Sequence, residues 1–406
     1  MEQVQWYDLP VEILHIIFHK LKDPSDIYRC GLVCVLWKSV AKTVLPHCLL
    51  LSNVDVFKDE TGRSHSKASL NKQSCVLLNT QTSETHEISL PEVEGRWFCS
   101  SSFGWLLTIG FKTPHKLCLL NPFTSDQIEL PSAREFIRPD HLRVITSSSP
   151  LDPKCLVLAA RGYYGELAFC RPGDESWTRV QFCDSSDCYC SDAIFYKDKF
   201  YAVGYNGDLF RISCNIIPIA AKLPLQPIRL AKANQLRKFN YLVELDGNLL
   251  LVARYGNHIS NYVTFVFEVY ELNCVEKQWI KVKSIGNNAI LLGINSSISL
   301  RVSPARNFKA NCIYFIDDDI NNLSFMTDSH QYHTGFYDMM TGNTEYLYQS
   351  SAIWTSPLNW FIPALPDIIY REKTAQDICR DKGGAEETSW SSRILTCLQN
   401  WFTHKL

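Results

Sequence analysis

Three groups of side chains have the types and spacing to do chemistry. Cys183, Cys188 and Cys190 are the densest thiol cluster. Neighbouring thiolates ligate zinc or join under oxidation, but a tetrahedral site needs a fourth donor, which the spacing here does not supply. Asp317, Asp318 and Asp319 form a run of carboxylates suited to Ca²⁺ or to acid–base work. They follow an apolar stretch and precede Asn321-Asn322, which is the composition of a solvated turn. Tyr163, Tyr164, Tyr205, Tyr255 and Tyr262 sit beside glycines or polar turns, where a tyrosine serves either recognition or packing. The chain has no G-x-S-x-G elbow, no G-x-x-x-x-G-K phosphate loop and no H-E-x-x-H helix. With no nucleophile beside an oriented base and no ligand set, the sequence predicts a non-catalytic protein with no metal and no cofactor. The alternative is an enzyme whose carboxylates converge on a central pocket from distant segments.

The elements that position these groups follow from composition and pattern. Of 406 residues, 46% are hydrophobic and 20% charged, with a net charge of -2. That is a globular balance, and it gives neither nucleic acid nor an anionic membrane a bulk attraction. The start, Met1-Glu2-Gln3-Val4-Gln5, lacks the basic and apolar segments of a secretory signal, and no apolar run is long enough to span a bilayer. The expectation is a soluble protein of the nucleus and/or cytoplasm. Its 16 cysteines would there be reduced and mostly core residues, and Asn295-Ser296-Ser297 and Asn322-Leu323-Ser324 would be chance sequons.

Helical spacing opens the chain. Pro10 suits a first turn, with Asp8 ahead as a cap, and Leu14, Ile17, Phe18 and Leu21 follow the i, i+3, i+4, i+7 template of a buried stripe. Ile13 and Ile16 widen that arc. Lys22-Asp23-Pro24-Ser25 breaks the pattern, with Ser25 able to cap a second helix. A third helix carries Leu32, Val33, Leu36, Trp37 and Val40 and ends before Pro46. A helical unit of about forty residues seldom holds a core alone. Its surplus apolar surface therefore reads as a docking module.

Leu9-Pro10, Glu12-Ile13-Leu14 and Ile17-Phe18, followed at a fixed offset by Val33-Cys34-Val35-Leu36-Trp37-Lys38, resemble the F-box pattern. Val35 departs from it where a basic residue is usual. The resemblance implies binding of a Skp-type adaptor, and through it of a cullin and a RING subunit. It assigns that contact to Leu9, Pro10, Ile13, Leu14, Ile17, Phe18, Leu21, Val33, Cys34, Trp37 and Lys38. On this basis the chain is expected to be a substrate-receptor subunit of an SCF-type ubiquitin ligase for an unknown protein substrate. A non-degradative F-box scaffold is the alternative.

After Leu49 short apolar runs alternate with turn residues. Cys75–Asn79 before Ile88–Pro91, and Leu117–Pro122 before Ile128–Pro131, repeat at a period near forty. Looser copies occur at Leu167–Cys170 before Trp177, Leu209–Ile212 before Leu223, Val269–Leu272 before Trp279, and Phe336–Asp338 before Tyr346. Asp246-Gly247-Asn248 marks a hairpin. Periods of this length predict a β-propeller of about six or seven blades, with a β-sandwich pair as the alternative. Trp177, Trp279 and Tyr346 are read as blade-packing residues.

The segments Cys99–Leu107, Leu119–Thr124 and Ile128–Pro131, then Trp279–Val282, Leu291-Leu292-Gly293 and Asn311–Asp318, are similar to the C-terminal, kelch-like domain of plant F-box proteins of the SKIP type. Phe103 stands where that family often has His, and Asn287 where a Gly-Asp pair is frequent. The expected organisation is α+β multidomain: an all-α F-box at 5–48, a mainly-β propeller-like recognition domain at 49–366, and at 367–406 a polar linker with an amphipathic helix carrying Trp390, Ile394, Leu398 and Trp401.

Overall fold

The computed structural model describes residues 9–21, 23–45, 48–51, 54–58, 64–68, 74–79, 85–110, 116–132, 142–161, 166–183, 190–215, 217–228, 236–257, 264–293, 297–302, 308–316, 334–348 and 359–366. The amphipathic stretch expected at 390–401 lies outside them.

Three helices come first: α1 (Val11–Lys20), α2 (Pro24–Cys30) and α3 (Val35–Val44). α1 starts after Pro10, whose carbonyl accepts from the Ile13 and Leu14 N–H groups. The cap of α2 is Asp23, not the expected Ser25: its carboxylate accepts from the Ser25 N–H at 2.8 Å. Pro24 explains the shift, because it holds the preceding residue extended and takes a first-turn position where no N–H is needed. Phe18 of α1 meets Trp37 of α3 edge to face, with centroids 5.6 Å apart.

The rest is a mainly-β propeller. Five sheets of four or five strands are each built from continuous chain, at 96–130, 142–179, 181–222, 236–282 and 288–348. A further four-stranded sheet is assembled from both ends of the domain: Asn359–Phe361 pairs with Cys48–Leu51, that strand with Ser74–Asn79, and that in turn with Thr85–Ser89. The contiguous blades therefore number five, not the six or seven expected, because the first period of the repeat does not complete its sheet without Asn359–Phe361. Inner strands Asn359–Phe361, Arg96–Ser102, Leu142–Thr146, Cys190–Tyr196, Leu236–Leu245 and Ile298–Arg301 lie side by side in that order. Trp360 of the closing strand is buried in the core of the 288–348 blade, and its Nε1 donates to the Leu292 carbonyl at 2.8 Å.

The forty-residue repeat corresponds to outer strand pairs, such as Leu117–Leu120 with Gln127–Leu130. Asn121 holds the turn between them, its side chain accepting from the Phe123 and Thr124 N–H groups. Asp246 and Gly247, with φ of 49° and 80°, turn the long hairpin of Leu236–Leu245 and Asn248–Asn257. Trp177 and Trp279 are buried and Tyr346 packs edge-on against Phe315, so all three are packing residues.

In the antiparallel 96–130 blade the first-to-second and third-to-fourth strand turns fall at the same end of the strands. Near the centre of the ring, buried Asp192 joins four strands or their ends. It accepts from Arg143 Nη1 at 2.9 Å, from the Ala193 and Leu242 N–H groups, and from Ser297 Oγ at 3.3 Å.

Candidate functional site

The residues proposed for adaptor contact split into two sets. Leu14, Ile17, Phe18, Trp37 and Lys38 are buried, facing an interior that the helices share with the ring. Leu9, Leu21 and Cys34 are half-buried and pack against the same core. The i, i+3, i+4, i+7 stripe is the side that a helix turns inward, and the ring covers it. Pro10, Ile13 and Val33 are exposed.

Around them the structure adds residues not singled out as contacts. Val11 and Ile16 on α1, and Leu32 and Val35 at the α2–α3 junction, are exposed, Ile16 at 50% and Val35 at 72%. The signal for Ile16 was present: it lies off the buried stripe, so it belongs to a second apolar arc that stays exposed among the described residues. Val35 stood out only as a departure from a motif.

The inward side is fixed to the ring by directed contacts. Tyr28 of α2 stacks on Phe123, with centroids 4.7 Å apart, and Phe123 packs on Phe361. The Tyr28 hydroxyl donates to the Ala364 carbonyl at 3.2 Å and accepts from Asn121 Nδ2 at 3.1 Å. Burial pushes its pKa up, against the hydrogen bond from Asn121. Lys38 Nζ donates to the Pro366 carbonyl at 2.7 Å. These anchors place the helices on the face that carries the Asn121 turn.

The other candidate groups do not assemble. Cys183 is exposed, Cys190 is buried with its thiol against the Asp192 carbonyl, and Cys188 lies outside the described residues. Among the described residues no group of three or more His, Cys, Asp or Glu is placed to hold a metal. Asp317, Asp318, Asp319, Tyr163, Tyr164 and Tyr262 also lie outside them. Tyr205 is half-buried at a turn. Tyr255 is buried, its hydroxyl donating to Glu268, and so belongs to packing.

Comparison with known families matches residues 6–50 to the F-box-like model and residues 77–338 to the KIB1-4 β-propeller model. The chain belongs to the KIB1-4 β-propeller family. It carries an F-box-like domain ahead of that propeller. Its relatives include a putative F-box protein of Arabidopsis thaliana, 26% identical over 337 residues, covering 77% of this chain and 86% of the relative. The F-box/kelch-repeat protein KIB1 of the same plant is 24% identical over 331 residues, covering 78% of each. In this KIB1-4 propeller protein, then, the exposed apolar arc of the helices lies on an F-box-like domain, and the buried arc is what joins that domain to the family's ring.

Proposed function

We propose that this KIB1-4 propeller protein is the substrate-receptor subunit of an SCF-type cullin–RING ubiquitin ligase. The exposed arc of α1 and the α2–α3 junction docks a Skp-type adaptor, which leads to the cullin and RING subunits, while the propeller holds a protein substrate. The observation that carries this reading is the apolar set Val11, Ile13, Ile16, Leu32, Val33 and Val35, exposed together on the F-box-like domain. Apolar side chains of this size gain ~1.5–3 kcal/mol each when a partner covers them, and membership of an F-box-like family supports an adaptor as that partner.

A receptor of this kind contributes effective concentration and no catalytic group, since it brings a substrate lysine near a charged conjugating enzyme. Action in the nucleus and/or cytoplasm is part of the proposal.

The test is capture of a purified Skp-type adaptor by the full chain, compared with the Ile13→Asp/Val33→Asp double variant. Both positions are exposed, so the thermal midpoint should hold while capture falls at least about tenfold. Equal capture by both proteins overturns the adaptor face. Unchanged half-lives of captured proteins, measured with and without the F-box-like domain's exposed arc intact, would make the protein a scaffold that does not direct degradation.

A further inference from the structure

The F-box-like helices and the last described stretch of the chain occupy one core. Leu14, Phe18, Tyr28 and Trp37 on the helical side meet Leu90, Phe123, Phe361 and Leu365 on the ring side. Part of the ring's share, Phe361 and Leu365, comes from 361–366, which continues directly from the closing strand. Leu365 lies over Gly31 so closely that a Cβ there would sit 2.7 Å from its Cδ1. Ala364 and Pro366 offer their carbonyls to Tyr28 and Lys38. On its other side the same stretch lies against the inner hairpin turn of the 96–130 blade, where a Cβ on Gly104 would come 2.6 Å from the Ala364 nitrogen. Segment 361–366 is thus a strap between helices and ring, in close contact with both.

The strap follows directly on Asn359–Phe361, which is paired with Cys48–Leu51 and seats Trp360 in the 288–348 blade. A helical module this small does not retain a core by itself. We propose that closing the ring and completing the F-box-like core are one cooperative event, so that the adaptor face is presented only by a protein whose propeller is closed. The helices are made first and Phe361 and Leu365 after the rest of their cover, so a chain still lacking 359–366 carries an unfinished docking module. The adaptor half of this statement rests on the function proposed above; the folding half does not.

Native-state hydrogen exchange of the full chain tests it. In the unmodified protein at rising denaturant, amides of α2 and α3 should open in the same step as those of Asn359–Phe361, converging on one free energy and one denaturant slope. Trp360→Phe removes the Nε1 bond to Leu292 at a position outside the core shared with the helices. It should lower protection in α2 and α3 by at least about tenfold, in step with the closing strand, while the 236–282 blade keeps its protection. Leu365→Ser should do the same from the strap. Adaptor capture should fall in the same order across the variants. Separate openings of helices and closing strand in the unmodified protein overturn the coupling, even if both variants prove too unstable to study. So does full helix protection in Trp360→Phe. Failure of the unmodified protein to capture an adaptor, with the exchange results as expected, overturns the proposed function and leaves the coupling standing.

Discussion

The Tyr28 hydroxyl donates to the Ala364 carbonyl and accepts from the Asn121 amide, so its protonation state bears on how the helices are held. Burial raises its pKa, with the Asp126 charge adding to the rise and the Asn121 bond opposing it. A raised folded pKa means that this group's contribution to stability is complete below the unfolded phenol value of about 10 and is lost as pH rises through the folded value. Stability measured by denaturant titration should therefore fall more steeply above about pH 10 in the native protein than in Tyr28→Phe. Near neutral pH that variant should cost about 0.5–1.5 kcal/mol. Cys30, whose thiol burial and then Asp26 push up to about 12, should resist alkylation in the folded state. Among the described cysteines the exposed Cys183 and Cys274 should label first, an order that mass spectrometry of briefly treated protein can check.

At the scale of elements, what could be read from the sequence depended on whether the signal was local. Pro10 marked the start of α1, and Asp246-Gly247 marked the long hairpin. The outer strand pairs were visible because Asn121 and its counterparts are turn residues flanked by apolar runs. The composite sheet was not visible: nothing near Cys48 announces that its partner is Phe361. For the same reason the inward members of the expected docking set could not be told from the outward ones. Leu14, Phe18 and Trp37 carry the motif, but whether a motif residue faces a partner or its own chain is decided by what the far end of that chain covers. A local rule can be tested at Gly247, where φ is 80° and a Cβ would meet nothing within 4 Å. Space for the side chain is present, so Gly247→Val should cost ~1–2 kcal/mol through the backbone alone, read as a lower denaturation midpoint with an unchanged slope. Glu268, on the 236–282 blade, offers a second test. Its burial raises its pKa, but donation from Lys281, Tyr255 and Tyr270 outweighs this and lowers it overall. That contribution is present above the unfolded carboxylate value of about 4.3 and is lost as pH falls through the lower folded value. Glu268→Gln should flatten the acid limb of the stability–pH curve.

Across the whole molecule, Asp192 draws donors from segments far apart in sequence onto one buried carboxylate. Arg143→Met would leave that charge without its ion-pair partner, at a cost of about 3–5 kcal/mol. Differential scanning calorimetry should show the loss as a fall in the main transition. The helices are anchored elsewhere, by Tyr28, Lys38 and Leu365, and they share their interior with the ring instead of hanging from it by a tether. If the protein is the receptor proposed above, it has no swivel between its two ends. A target held by the propeller would then be presented at one bearing, and its lysines chosen by where they fall along a fixed arc, not by the residues that surround them.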